Sequence, residues 1–184
     1  MDNGNQGTCG VARGGSFMAL LLCLFLAWPA VAGRNLEGET APDFVLKSLD
    51  GVNLRLSEYQ GNVVILTFWN VRCGDCREQL PQLNQLQAEY GAQGLRVLSV
   101  NLDKHVHRAE EMTRGMQLDF PVLLDLKRRV AKLYDPGKLP LTVLIDPAGD
   151  VRYVHKGYSV KDPLIYTAEL ESLLADFGPL TDQG

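Results

Sequence analysis

VVILTFWNVRCGDCREQLP, residues Val63 to Pro81, is the stretch on which the rest of this 184-residue chain hangs. It opens with seven apolar or β-branched residues, Val63 to Trp69, which read as a strand buried on both faces. Asn70-Val71-Arg72 is a short link that delivers Cys73 to the start of a helix. From Cys76 onward Leu80, Leu83, Leu86 and Tyr90 recur at helical spacing, and Gly91 is expected to stop the helix. Pro81 removes one helical hydrogen bond and is expected to kink the helix below the cysteines. A CxxC pair where a buried strand passes into a helix has a physical reason to be redox-active. The helix N-terminus carries unpaired N–H groups and the positive end of the macrodipole, which together stabilise a thiolate at Cys73. Cys76 lies one turn further in, within reach of a disulfide.

Three blander readings compete for the pair. As a structural staple it would close so short a loop that the chain-entropy gain is only ~2 kcal/mol. As half of a zinc site it lacks a second CxxC. As inert buried thiols the two would be badly placed at a polar corner followed by Arg77 and Glu78. The redox reading therefore leads.

The length suits one domain, and a 46% hydrophobic content suffices for an ordinary core. A net charge of −4 gives no electrostatic footprint for nucleic acid. Residues 1–32 read as a signal peptide: Arg13 in the n-region, an uncharged run from Phe17 to Trp28, then Ala30-Val31-Ala32 as an A-x-A cleavage site. An uncleaved anchor is the alternative, although the apolar run falls short of the ~20 residues that span a bilayer. Cleavage removes Cys9 and Cys23 and leaves Cys73 and Cys76 as the only cysteines, in a disulfide-permissive compartment. Export to the periplasm is the expected localisation, with attachment to the membrane if the leader stays.

Residues 33–40 are expected as a linker, 41–178 as the folded domain and 179–184 as a tail. Asp43 to Leu56 reads as a hairpin turning at Asp50-Gly51, with Phe44, Leu46, Leu54 and Leu56 alternating inward. Ser57 to Tyr59 is a helical turn ended by Gly61, and Leu95 to Val100 a second buried strand. Lys104 to Gln117 is expected as a helix with Val106, Ala109, Met112 and Met116 on one face. A strand over Phe120 to Leu124 and a helix over Arg128 to Tyr134, with Val130 and Leu133 inward, follow. Leu141 to Ile145 and Val151 to His155 read as antiparallel strands joined at Pro147-Ala148-Gly149-Asp150. A last helix opens at Asp162-Pro163 and turns Leu170, Leu173, Leu174 and Phe177 inward. This order predicts an α/β fold with a central mixed sheet and helices on both faces.

FWxxxCxxC followed by Pro81, preceded by APDFxLxxxDG from Ala41 and followed by LPLTVLIDPAGDV from Leu139, resembles the TlpA/ResA-like branch of the thioredoxin superfamily. That branch includes the thioredoxins of cytochrome c maturation. The resemblance covers nearly all of the chain after the leader. It implies a thioredoxin-like fold with an N-terminal β-hairpin and a helical insertion, no cofactor and no metal. It further implies a redox-active Cys73–Cys76 disulfide, with Cys73 attacking and Cys76 resolving. Pro140 would be a cis-proline facing the cysteines, and the backbone of Leu139 would pair with a bound peptide like an added strand. Partners would be protein thiols and disulfides, apocytochrome c among them, and a membrane thiol electron donor; a monomer is expected.

Departures from the family pattern mark residues that could modulate the chemistry. Arg72 stands where relatives usually have Trp, and Asp75 where they commonly have Pro. Gln79 replaces a frequent Glu, with Glu78 one position earlier, and Thr67 occupies the place of the buried acid of thioredoxin proper. Neither familiar proton acceptor for Cys76 is in its usual place. Trp69 reads as packing beside the site. His105 and His107 lie in a charged run that reads as a solvated helix face. His155 is the histidine that a copper-binding arrangement would recruit.

Three functions are carried forward: a protein thiol–disulfide oxidoreductase working as a reductant, a peroxiredoxin-like thiol peroxidase, and a non-enzymatic copper-binding module. Peroxiredoxins share the APDFxL opening but place Thr three residues before the reactive Cys, where this chain has Asn70.

Overall fold

The computed structural model describes residues 35–177, so the expected leader (1–32) and tail (179–184) lie outside the described residues. β1 (Val45–Ser48) and β2 (Asn53–Arg55) form the N-terminal hairpin, with Gly51 at φ 85° in its turn. A 3₁₀ turn over Leu56–Tyr59 leads to β3 (Val63–Trp69), every residue of which is buried. Then come α1 (Gly74–Tyr90), β4 (Leu95–Asn101), α2 (Val106–Thr113), β5 (Val122–Leu124) and α3 (Arg129–Tyr134). β6 (Leu141–Ile145), β7 (Val151–Lys156) and α4 (Asp162–Phe177) complete the fold.

One seven-stranded sheet runs in the order β2-β1-β5-β4-β3-β6-β7. β3, β4 and β5 are parallel neighbours, whereas β6 runs antiparallel to β3, β7 to β6 and β1 to β5. The sheet is mixed, as expected, and its alternating residues feed two cores. Val64, Leu66 and Phe68 pack with Val130, Ala131 and Tyr134 of α3 and with Phe44 and Leu56 around the hairpin. Val63, Ile65 and Trp69 pack on the other face with Leu80 and Leu83 of α1, Ala109 of α2 and Leu170 and Leu173 of α4. The described part of the expected linker is docked: Leu36 is buried, the Gly38 N–H donates to Val151 O (2.8 Å), and Thr40 bridges Asp150. Among the described residues no helix is long and apolar enough to cross a membrane.

Four expectations need correction or refinement. α1 ends at Tyr90 with Gly91 as its C-cap, as expected, but not by a left-handed turn: Gly91 stays right-handed at φ −57° and the chain runs on into a 3₁₀ turn over Gly91–Gln93. Gly94, at φ 103°, makes the left-handed turn. α2 ends at Thr113 rather than Gln117, since Gln117 itself sits at φ 47° and turns the chain away. Leu133 faces outward, at 37% exposure, because a six-residue α3 buries Val130, Ala131 and Tyr134 instead. Phe177 is exposed at the end of α4, whose buried stripe is Tyr166, Leu170 and Leu173.

Candidate active site

Parallel pairing of β3, β4 and β5 puts their carboxyl ends on one edge of the sheet, and antiparallel β6 brings its amino end to the same edge. Open α/β sheets place their chemistry at this edge. Cys73 leaves β3 here as the N-cap of α1, in extended conformation, and its Sγ accepts a hydrogen bond from the Cys76 N–H at 3.1 Å. The sulfur thus occupies the place of a capping oxygen, satisfying an otherwise unpaired helical N–H. Cys73 and Cys76 are joined by a disulfide, with S–S 2.02 Å and Cα–Cα 5.2 Å. The two sulfurs live in different surroundings: Cys73 is partly exposed, whereas Cys76 is 0% exposed.

The loop between Trp69 and Cys73 is fixed from below. The Cys73 N–H donates to Asn70 O (3.2 Å) and the Arg72 N–H to Asn70 Oδ1 (3.0 Å). Asp103, nearly buried, accepts from the Val71 N–H and from Asn101 Nδ2, both at 2.9 Å. Asn101 Oδ1 in turn accepts from the Asp103 N–H. Sequence reading passed over Asn101 and Asp103; two amide and carboxylate side chains closing an apolar strand were the available sign.

Pro140 lies one residue beyond the Phe68–Leu141 pair, level with Trp69 and so at the cysteine end of the sheet. The Leu139–Pro140 bond is cis, Pro140 is buried, and its carbonyl accepts from the Gly157 N–H at 2.7 Å. Leu139 is half-buried and touches both cores. Trp69 is fully buried against the α1 face, with its Nε1 lacking a hydrogen-bond partner among the described residues. Arg72, Asp75 and Glu78 are all exposed. Glu78 lies close enough to Tyr158 to help raise that phenol's pKa, after burial and Asp162.

Gln79 is the least expected member. It is fully buried, its Oε1 accepts from Thr67 Oγ1 (3.0 Å), and its Nε2 donates to Thr142 Oγ1 (2.7 Å) and to Tyr166 OH (3.1 Å). One side chain therefore ties the helix one turn below Cys76 to β3, β6 and α4. The amide carries no titratable proton. Burial pushes the Tyr166 phenol up to about 12, although hydrogen bonds to Thr142 and Gln79 pull the other way. No group of this cluster is a base at neutral pH, so the cluster holds the helix rather than accepting a proton. Thr67 and Thr142 inside apolar strands, and Gln79 on the inner stripe of α1, were its legible signs.

His105 lines a cleft with Asn70 and Arg72, whereas His155 is engaged by Glu169. His105 and His107 are exposed, with ring centroids 5.8 Å apart. His155 Nε2 is 2.7 Å from Glu169 Oε2, and its ring packs on Tyr166 at 5.1 Å. Among the described residues no three His, Cys, Asp or Glu side chains gather as a metal-holding group.

Residues 38–154 match the family model described as the AhpC/TSA family. The thiol-disulfide oxidoreductase ResA of Geobacillus kaustophilus is 38% identical over 127 residues, 69% of this chain and 73% of that protein. ResA of Bacillus subtilis is 34% identical over 121 residues, 66% of this chain and 68% of its own. Among solved structures, a Chlorobium tepidum protein assigned as a thiol:disulfide interchange protein DsbE superimposes with a TM-score of 0.72 at 36% identity. That match covers 75% of this chain and 97% of the other.

Proposed function

The chain belongs to the AhpC/TSA family and is a thiol–disulfide oxidoreductase, and on that premise we propose that it reduces disulfides of exported proteins in the periplasm, with Cys73 attacking and Cys76 resolving. The observation that carries the roles is the asymmetry of the pair: a partly exposed sulfur at the helix N-cap and a sulfur with no exposure behind it. In the reduced protein the Cys73 thiolate attacks one sulfur of the substrate disulfide. A mixed disulfide forms and the first substrate thiolate leaves. The Cys76 thiolate then attacks Cys73 Sγ, closing the Cys73–Cys76 bond and releasing the second substrate thiolate. Two electrons pass to the substrate, and its two thiolates take up the protons that the two cysteines gave up. The closed disulfide described here is the product of that cycle, and a membrane dithiol donor returns it to the reduced state.

Leu139 and Pro140 flank the path by which a substrate strand reaches Cys73. Their place at the cysteine end of the sheet supports that role. Export rests on the leader pattern in 1–32, and apocytochrome c as substrate on the similarity to the cytochrome c maturation thioredoxins. The protein works as a monomer in this scheme. Incubating the reduced chain with disulfide-bonded apocytochrome c and counting the thiols released tests the proposal. Stoichiometric release with closure of Cys73–Cys76 supports it. Rapid turnover of peroxide with no protein-disulfide reduction overturns it in favour of the peroxidase.

A further inference from the structure

The loops at the carboxyl ends of β3, β4 and β5 enclose a cleft of about 320 Å³ lined by Asn70 and Arg72 of the loop that leads to Cys73, by His105, and by three further cations, Lys104, Arg108 and Arg128. Arg72 immediately precedes Cys73, so the cleft and the reactive sulfur share one loop. All four Lys and Arg side chains are exposed, and none forms an ion pair among the described residues, where the salt bridges are Arg55–Asp43, Arg152–Asp146 and His155–Glu169. The acids nearby compensate the cations only in part. Asp103 lines the cleft as its one carboxylate, with Oδ2 accepting from the Val71 N–H and Asn101 Nδ2. Asp125 is buried and caps α3, accepting from the Arg129 and Ala131 N–H groups at 2.8 Å. Glu111 stands with Arg77 and Arg108 at the adjoining groove.

Arg128 is aimed. Its backbone adopts φ 51°, ψ 33°, a region that L side chains rarely occupy, and its Nε donates to Leu102 O at 3.3 Å. That fixes the base of the guanidinium and leaves its terminal nitrogens for a bidentate acceptor. Four cations gathered in one cleft against a single carboxylate, Asp103, leave an excess of positive charge, and they do so on a chain whose net charge is −4. An anion that enters the cleft offsets that excess, and the field draws it in before contact.

We propose that this cleft receives the side-chain carboxylates of an acidic segment flanking the disulfide of the protein substrate, so that the enzyme prefers disulfides set in acidic sequence. The proposal deepens the oxidoreductase reading and rests on it. A peptide is the occupant that fits, because the cleft opens on the same loop as the sulfur that must meet the substrate disulfide. A bound side chain there holds the scissile bond in register.

The test uses the reduced full chain and three synthetic peptides, each with one internal disulfide, flanked by Asp, by Asn or by Lys. Second-order rate constants are measured at low salt and at about 0.5 M salt. The expected order is Asp over Asn over Lys, with about a tenfold gap between the first two at low salt that shrinks toward parity at high salt. Lys104→Gln/Arg108→Gln reduces the Asp-to-Asn ratio severalfold. Arg128→Gly, which keeps the left-handed backbone without cost and removes only the side chain, does the same. Equal rates for the three peptides, or a ratio untouched by both variants, overturns the proposal while leaving the oxidoreductase intact. Failure to reduce any of the three overturns both.

Discussion

On one face of the sheet Val64, Leu66 and Phe68 pack against Tyr134 and Phe44, and the polar end of Tyr134 is settled by a 2.7 Å hydrogen bond to Pro42 O. On the other face, at Thr67 and Thr142 of the neighbouring strands, four polar side chains meet under the redox helix with their hydrogen bonds closed among themselves. The same strands thus carry an apolar interior on one side and a satisfied polar cluster within the core on the other. A buried amide is costly unless every donor and acceptor is met. Its position, one turn behind Cys76, shows what that arrangement provides: the helix carrying the disulfide is clamped to three other elements by directional bonds. Both faces supply apolar burial, and the second adds the polar cluster that holds geometry.

Phe68→Ala breaks the first face alone. It is fully buried and stacks on Tyr134 at 5.0 Å, so the expected loss is about 3–5 kcal/mol in urea unfolding. The rate of disulfide reduction per folded molecule should be unchanged below the transition. Gln79→Leu breaks the second face. It leaves the hydroxyls of Thr67, Thr142 and Tyr166 without their amide partner and should cost about 1–3 kcal/mol. Unlike Phe68→Ala, it should also slow closure of Cys73–Cys76, measured by single-turnover mixing. If both variants slow closure equally, the division of labour between the faces is wrong.

Alkaline pH probes both faces without mutation, since burial raises the Tyr134 phenol on the first face as well as Tyr166 on the second. Burial raises the Tyr166 phenol to about 12, and a hydrogen bond to Glu171, then burial, raises Tyr90 to about 12. A group whose folded pKa is raised contributes stability that is complete below its unfolded value, here 10.0, and is lost as pH rises through the folded value. Thermal midpoints should therefore hold steady up to about pH 10 and fall above it. Tyr166→Phe should make that fall shallower. An unchanged slope in the variant would remove Tyr166 from the titrating set.

The smallest effect is expected at the surface. Asp75 is an exposed first-turn acid between the two cysteines. Its negative charge opposes a second one on Cys73, so Asp75→Asn should make the potential less negative by at most about 30 mV, the equivalent of one pKa unit in a two-electron couple. Equilibration with glutathione or dithiothreitol measures it.

Much of this was legible in the sequence because it rests on local pattern. The unbroken apolar run of β3 gave a strand from Val63 to Trp69 at the bounds observed, and CxxC at its exit placed the disulfide. The hairpin followed from Asp50-Gly51, which the Gly51 φ of 85° explains. Pro140 as a cis residue came from resemblance and not from pattern. Helix ends were less legible: Gly91 caps α1 as read, but how a glycine ends a helix depends on the φ it adopts, and the left-handed turn falls to Gly94. The Thr67–Gln79–Thr142–Tyr166 cluster was hidden because its members come from four separate elements and meet only through tertiary packing. Gln79 stands out in the sequence as a departure at a modulating position, but nothing there shows what it touches. The cationic cleft was hidden for the same reason, since Arg72, Lys104 and Arg128 are brought together by parallel strand pairing alone.

The central claim is that the partly exposed N-cap sulfur attacks and the buried sulfur resolves. Trapping tests it most directly. Cys76→Ser and Cys73→Ser chains are reduced, mixed with disulfide-bonded substrate and separated without reductant. Mixed disulfides through Cys73 should accumulate in the first variant, and nothing should be captured in the second, which should also have lost all substrate reduction. Adducts through Cys76 in the Cys73→Ser chain, with none in the converse variant, would contradict the account and reverse the two roles.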